Sequence, residues 1–196
     1  MALAWHLQVG LKEWATVCAA LESGRQIILL RKGGISESIG GFEIEHRQFL
    51  LFPTYLHQQA AMLKPAERAG LSPTDAEPRL VRISSAAMIT DIVQMPSRAV
   101  MDSLDDEHIW APPLIDMRFN YRPKNPLYLL LIRAYRLADP VTIENSLEYA
   151  GCKSWVPLRA GISTIGATPA LDDLEFEKRR KEILHRVNFP AGEAPK

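Results

Sequence analysis

An excess of charge of either sign is what this chain lacks: across 196 residues, 23 lysines and arginines face 23 aspartates and glutamates. No global pull toward nucleic acid or an anionic membrane follows, so any basic surface must be local. Cysteine is scarce as well, with only Cys18 and Cys152 present. That excludes a disulfide-stapled scaffold, and a chain of this length can bury a core without staples. Cys18 falls inside an apolar pattern and reads as a reduced core thiol, so a reducing cytoplasm is the expected compartment. Long hydrophobic runs are missing too. The most apolar stretch, LYLLLIRAY, is too short and too charged to cross a bilayer. The opening MALAWHLQVGLKEW has no basic stretch leading into an apolar one, so no signal peptide is expected. The four glycines of residues 33–41 match no phosphate-loop spacing, because no Gly-Lys-Ser/Thr follows them.

What is present is a mixture of helical and strand periodicities. Leu11, Trp14, Cys18 and Leu21 recur at helical spacing, and Ser23-Gly24 supplies a stop, so the spacing predicts a helix over 9–22. RQIILLRK (25–32) is a strand ended by glycines. GFEIEHRQFLLFP (41–53) reads as one long strand or two short ones, stopped at Pro53. A helix is expected over 55–69 with Thr54 as its cap, and the polar, turn-rich stretch 71–78 is the expected boundary between two halves. The second half begins with a strand, RLVRISSAAMITDIVQM, and a short helix over 97–104 capped by Ser97. Residues 109–126, with four prolines, are expected to be irregular or edge-like. LYLLLIRAYRL (127–137) reads as a central strand covered on both sides, and AGCKSWVPL as a last strand. Residues 171–187 form a charged helix with acids at its start and bases further on, supported by Glu175–Arg179 and Glu177–Lys181 pairs. The order predicts an α+β protein: mixed sheets with helices packed on them, in two closely packed halves, 1–70 and 79–190.

Three groups of residues could carry chemistry. On one regular strand, Glu43, Glu45 and Arg47 would share a face, with Lys32 nearby in sequence. Carboxylates hold magnesium or manganese and cations neutralise phosphate oxygens, so Glu43 and Glu45 are candidate metal ligands and Lys32 and Arg47 candidate phosphate contacts. His57, near an expected helix start, would have its neutral form favoured and suit a base or water-orienting role. The bland alternative is architectural: a solvated strand end, with His46 and His57 tying elements together. RFNYRPK is the third group. It interleaves Phe119 and Tyr121 with Arg118, Arg122 and Lys124, the composition of a nucleic-acid-stacking surface.

The segments LKEWATVCAALESGRQIILLRKGGI, FLLFPTYLHQ, IRAYRL and GCKSWVPL together resemble an uncharacterised prokaryotic family, domain of unknown function 1802, over roughly residues 11–158. The resemblance implies a chain organisation and no activity. The order of elements in the first half is also similar to the restriction-endonuclease-like core, although Glu45-x-Arg47 stands where that core has an acid-x-lysine. The second half looks like an RNA-binding pseudobarrel of the PUA type. The leading expectation is thus a nucleic-acid-associated protein, with divalent-metal-dependent phosphodiester cleavage as its catalytic form. The alternative is a non-catalytic RNA- or protein-binding module with a PUA-like half. Catalysis requires Lys32, Glu43, Glu45 and His57 to converge; binding requires an exposed basic and aromatic face.

Overall fold

The computed structural model describes residues 2–32, 37–38, 41–42, 45–56, 58–71, 74, 76–151 and 153–189. In chain order, its strands and helices are β1 (His6–Trp14), α1 (Ala15–Glu22), β2 (Ile28–Lys32), β3 (Glu37–Ser38), β4 (Gly41–Phe42), β5 (Gln48–Thr54), β6 (Leu80–Gln94), α2 (Arg98–Asp102), α3 (Pro112–Asn120), β7 (Leu127–Glu144), β8 (Trp155–Ser163), β9 (Thr168–Pro169) and α4 (Asp173–Asn188). Seven strands form one sheet in the order β2-β7-β6-β5-β1-β8, with β9 added along β7. Among the described residues, only β1 and β5 pair in parallel. The fold is α+β, and strands from both sides of residues 71–78 enter the same sheet.

The sheet buries both of its faces, which its strand sequences require. In β5, Phe49 and Leu51 join a core covered by the helices, while Leu50 and Phe52 join a second core on the opposite face. All four are at most 1% exposed. Burying each such side chain contributes about 1.5–3 kcal/mol. β7 behaves alike from Leu127 to Leu137, with Arg136 its one exposed residue there, and becomes mostly exposed beyond, so the predicted central strand is there.

Several expectations need correction. Residues 9–14 are strand, not the start of a helix. The helical spacing of Leu11, Trp14 and Cys18 runs by coincidence across a junction between β1 and α1; β1 itself is fixed by pairing with β5 on one side and β8 on the other. Gly10 is needed there, because a Cβ would approach Phe52 Cβ and Val156 Cγ2 to 3.2 Å. The stop after α1 is as expected: Gly24 has φ +74°, and its N–H donates to Leu21 O at 3.1 Å.

Pro53 does not end β5. The strand leaves β6 after Leu50, so beyond that point the missing proline N–H removes no ladder bond on that side. The helix expected over 55–69 is two short 3₁₀ segments, Ala60–Met62 and Pro65–Gly70. Thr54 caps nothing; its hydroxyl donates to Glu13 O at 3.1 Å. Between residues 109 and 126 lies a helix, α3, because Pro112 and Pro113 occupy a first turn whose N–H groups have no intrahelical partner anyway. The cap of α2 is as expected, Ser97 Oγ accepting from Val100 N; α4 begins two residues later than expected, with Asp172 as its cap accepting from Glu175 N. Arg179, however, bypasses Glu175 for Glu107 on a distant segment.

The sheet is curled. Three strands separate β2 from β1, yet Arg31 on β2 reaches Glu13 on β1 (Nη1 to Oε2, 2.6 Å) and also donates to Lys12 O at 3.3 Å. This side-chain bridge draws the two strands together.

Candidate functional site

A recess of about 510 Å³ opens where β1 and β5 end and the connection from β7 to β8 crosses over them. β1 supplies Lys12 and Trp14, β5 supplies Phe52 and Thr54, and the chain beyond supplies Leu56 and residues 77–79. Tyr149 closes the wall by packing edge-on against Phe52, with ring centroids 5.6 Å apart. The Lys12 ammonium donates to Gly151 O at 3.1 Å and to Tyr149 O, so it ties the crossover down.

Among the described residues, the cleft's one acid, Glu77, is already committed. Its carboxylate accepts the N–H groups of Tyr55 (3.0 Å) and Leu56 (2.9 Å), holding the turn after β5. Asn145 fixes the opposite lip by donating to Pro78 O at 3.1 Å. Arg79 and Lys153 stand exposed at the rim, and neither has an ion-pair partner among the described residues. The cleft therefore combines apolar walls with uncompensated positive charge. Leu147, 92% exposed, adds an apolar lip.

The residues singled out from sequence are distributed differently. Glu43 and His57 lie outside the described residues, as does Cys152. Glu45 is exposed and pairs with His46 (3.5 Å), whose ring packs edge-on against Trp155. Arg47 is exposed. Lys32 is buried, its amine donating to Phe119 O, and burial lowers its pKa. No described contact joins Lys32, Glu45 and Arg47. Among the described residues, no three His, Cys, Asp or Glu side chains come together that could hold a metal ion.

RFNYRPK divides at the end of α3. Tyr121, Arg122 and Lys124 are exposed, with the Arg122 guanidinium 5.4 Å from the Tyr121 ring centroid. Arg118 instead turns inward. Burial pulls its pKa down, with Glu13 opposing that shift and Arg31 adding to it. Through the Lys32–Phe119 bond, the structure thus joins one residue of the expected catalytic group to one of the expected binding group. Glu13 and Arg31 at this junction went unrecognised in the sequence. The available signal was a lone arginine in the apolar strand IILLRK, which must find an acid once buried.

No helix among the described residues is long and apolar enough to cross a membrane. No curated protein matches the chain. Among solved structures, the chain is similar to the crystal structure of a ZmASCH mutant protein from Zymomonas mobilis. The identity is 13%, the TM-score 0.42, and the match covers 89% of this chain and 94% of the other, a likeness too distant to carry an argument. Residues 10–182 match the family described as "Domain of unknown function (DUF1802)". That span takes in most of the large sheet and of its two cores and every described wall of the cleft, and the chain belongs to the DUF1802 family.

Proposed function

We propose that the protein binds single-stranded nucleic acid along the cleft at the ends of β1 and β5. The observation that carries this reading is the pairing of apolar walls with Arg79 and Lys153, two rim cations that no acid neutralises among the described residues. Half-buried Trp14 offers a surface for a base to stack on, and the rim cations suit the phosphates on either side of it. Glu77 does not oppose this, because two backbone N–H groups already share its charge. The exposed Tyr121–Arg122 pair is a second surface of the same chemistry.

The test is fluorescence anisotropy with short labelled single-stranded RNA and DNA, titrated between roughly 50 and 200 mM salt. Affinity should fall steeply with salt. The double variant Arg79→Ala, Lys153→Ala should bind more weakly on all sequences, with a log–log salt slope shallower by about 1.4. Equal affinity and slope in the variant would remove the cleft from the reading. No binding by either protein would remove the reading itself.

A further inference from the structure

On β1, Lys12 and Trp14 contribute to the cleft, while Glu13 between them faces the helix-covered core. There, among the described residues, Glu13 is the one acid beside three cations. Arg31 is 7% exposed and Lys32 9% exposed, and the half-buried Arg118 keeps its Nε out of solvent. Glu13 is used up locally: Oε2 accepts from Arg31 Nη1 at 2.6 Å, and Oε1 accepts from Trp14 N at 2.9 Å. Arg31 places Nη2 on Lys12 O, and Lys32 donates to Phe119 O.

Donors are left over. The Nε groups of Arg31 and Arg118 are buried and have no acceptor among the described residues. The same is true of the Trp155 indole N–H; Trp155 sits opposite Leu11 on β8, on the same face as Glu13. Buried cations without counter-charge are strongly unfavourable, and buried N–H donors are almost always satisfied. A water molecule could satisfy a donor but could not balance the charge. An oxyanion does both, and a tetrahedral phosphate offers the oxygen spacing that guanidinium groups engage best.

We propose that Arg31 and Arg118, assisted by Lys32, form a binding site for a phosphate group entered from the C-terminal end of α3, separate from the cleft and independent of its proposed role. Access is given by position: Arg118 is half-buried, and the residues that follow it, Asn120 to Arg122, are exposed. The phosphate is either free inorganic phosphate or the terminal phosphate of a larger molecule.

The test uses the full chain with inorganic phosphate at constant ionic strength, read by thermal shift and by isothermal titration calorimetry. Phosphate should raise the melting temperature saturably where chloride does not. Arg118→Gln, which keeps much of the side chain's length but removes its charge, should weaken binding about tenfold or more, the effect expected for one charge-assisted hydrogen bond. Arg122→Gln, on the exposed side, should bind as the parent does. Competition then assigns the source. Displacement by a 5′-phosphorylated oligonucleotide but not by its 5′-hydroxyl form supports the site with a chain end as ligand; displacement by neither supports it with free phosphate. An equal response to chloride, or unchanged binding in Arg118→Gln, overturns the proposal. Should Arg31→Gln fail to fold, the Arg118 variant still decides.

Discussion

Two sets of partly or fully buried arginines in this protein are built in opposite ways. Those of α4 are saturated. Arg179 donates to Glu107 through Nε (3.1 Å) and Nη2 (2.7 Å), and to the carbonyls of Gly24 and Arg25. Arg180 grips both oxygens of Asp91, at 2.5 and 2.6 Å, and Arg186 grips Asp106 and also reaches Glu107. Burial works to raise the Asp91 pKa, but hydrogen bonds from Arg180 and Thr90 outweigh it and hold the carboxyl below its usual value. In the set at Arg31 and Arg118, one carboxylate, Glu13, pairs with Arg31 alone, and donors are left unmet. Charge that is matched in number and geometry holds elements together, whereas charge in surplus points to a ligand. The two regions should therefore respond oppositely to the same chemical change.

The largest effect is expected at Arg179. Replacing it with methionine leaves Glu107, 5% exposed, with only the longer Arg186 contact at 3.2 Å. Breaking one side of a buried pair costs about 3–5 kcal/mol. Urea unfolding should show that loss with an unchanged m-value. A loss below about 1 kcal/mol would mean that the α4 arginines are no more structural than the others, and the contrast between the two sets would collapse.

Acid should act on the saturated region first, through His108 next to Glu107. Its imidazole is buried beside Trp110, and burial, helped by the positive charge of Lys64, pushes its pKa down to about 4. The unfolded chain takes up that proton near the ordinary value of 6.5, before the folded chain does. The stabilisation is thus complete above about pH 6.5 and lost as pH falls toward 4, amounting to roughly 3 kcal/mol at most. Asp91 and Asp106, held low in the folded state, add a further loss only as pH falls below their ordinary value of 3.8. In a series of unfolding curves against pH, His108→Asn should flatten the slope between pH 6.5 and 4 and leave the more acidic limb intact. An unchanged slope would place the proton uptake elsewhere.

What could be read from sequence follows the range of the interactions concerned. The helix α4 was legible because its acids gather in the first turn and its bases further on, and the short α2 because Ser97 caps within three residues of itself. The central strand β7 was legible because burial on both faces leaves an unbroken apolar run. β1 was not, since nothing local distinguishes it; its neighbours β5 and β8 lie some 40 and 145 residues further along the chain. The candidate sites suffered most from this. Lys32 and Phe119 meet across 87 residues, and the cleft draws its walls from four separate segments. Composition marked RFNYRPK as basic and aromatic, but only packing decides that Arg118 turns inward while Tyr121 and Arg122 face out.

The smallest expected effect sharpens the comparison most, because its sign is reversed. Arg118→Met removes a cation from a group that has too many and an Nε that has no acceptor among the described residues. Its aliphatic length is kept, so packing beside Leu114 and Ile115 on α3 should survive. Exchanging a poorly compensated buried charge for an apolar side chain of similar size is often neutral or stabilising. Without phosphate, the variant should therefore unfold within about 1 kcal/mol of the parent, on the more stable side. With phosphate the order should invert, because only the parent gains from the ligand, and it gains more at each increment of concentration. Stability curves for the two proteins that cross as phosphate is added separate a ligand site from a merely strained core. Curves that stay parallel at every concentration leave Arg118 as a structural residue like those of α4.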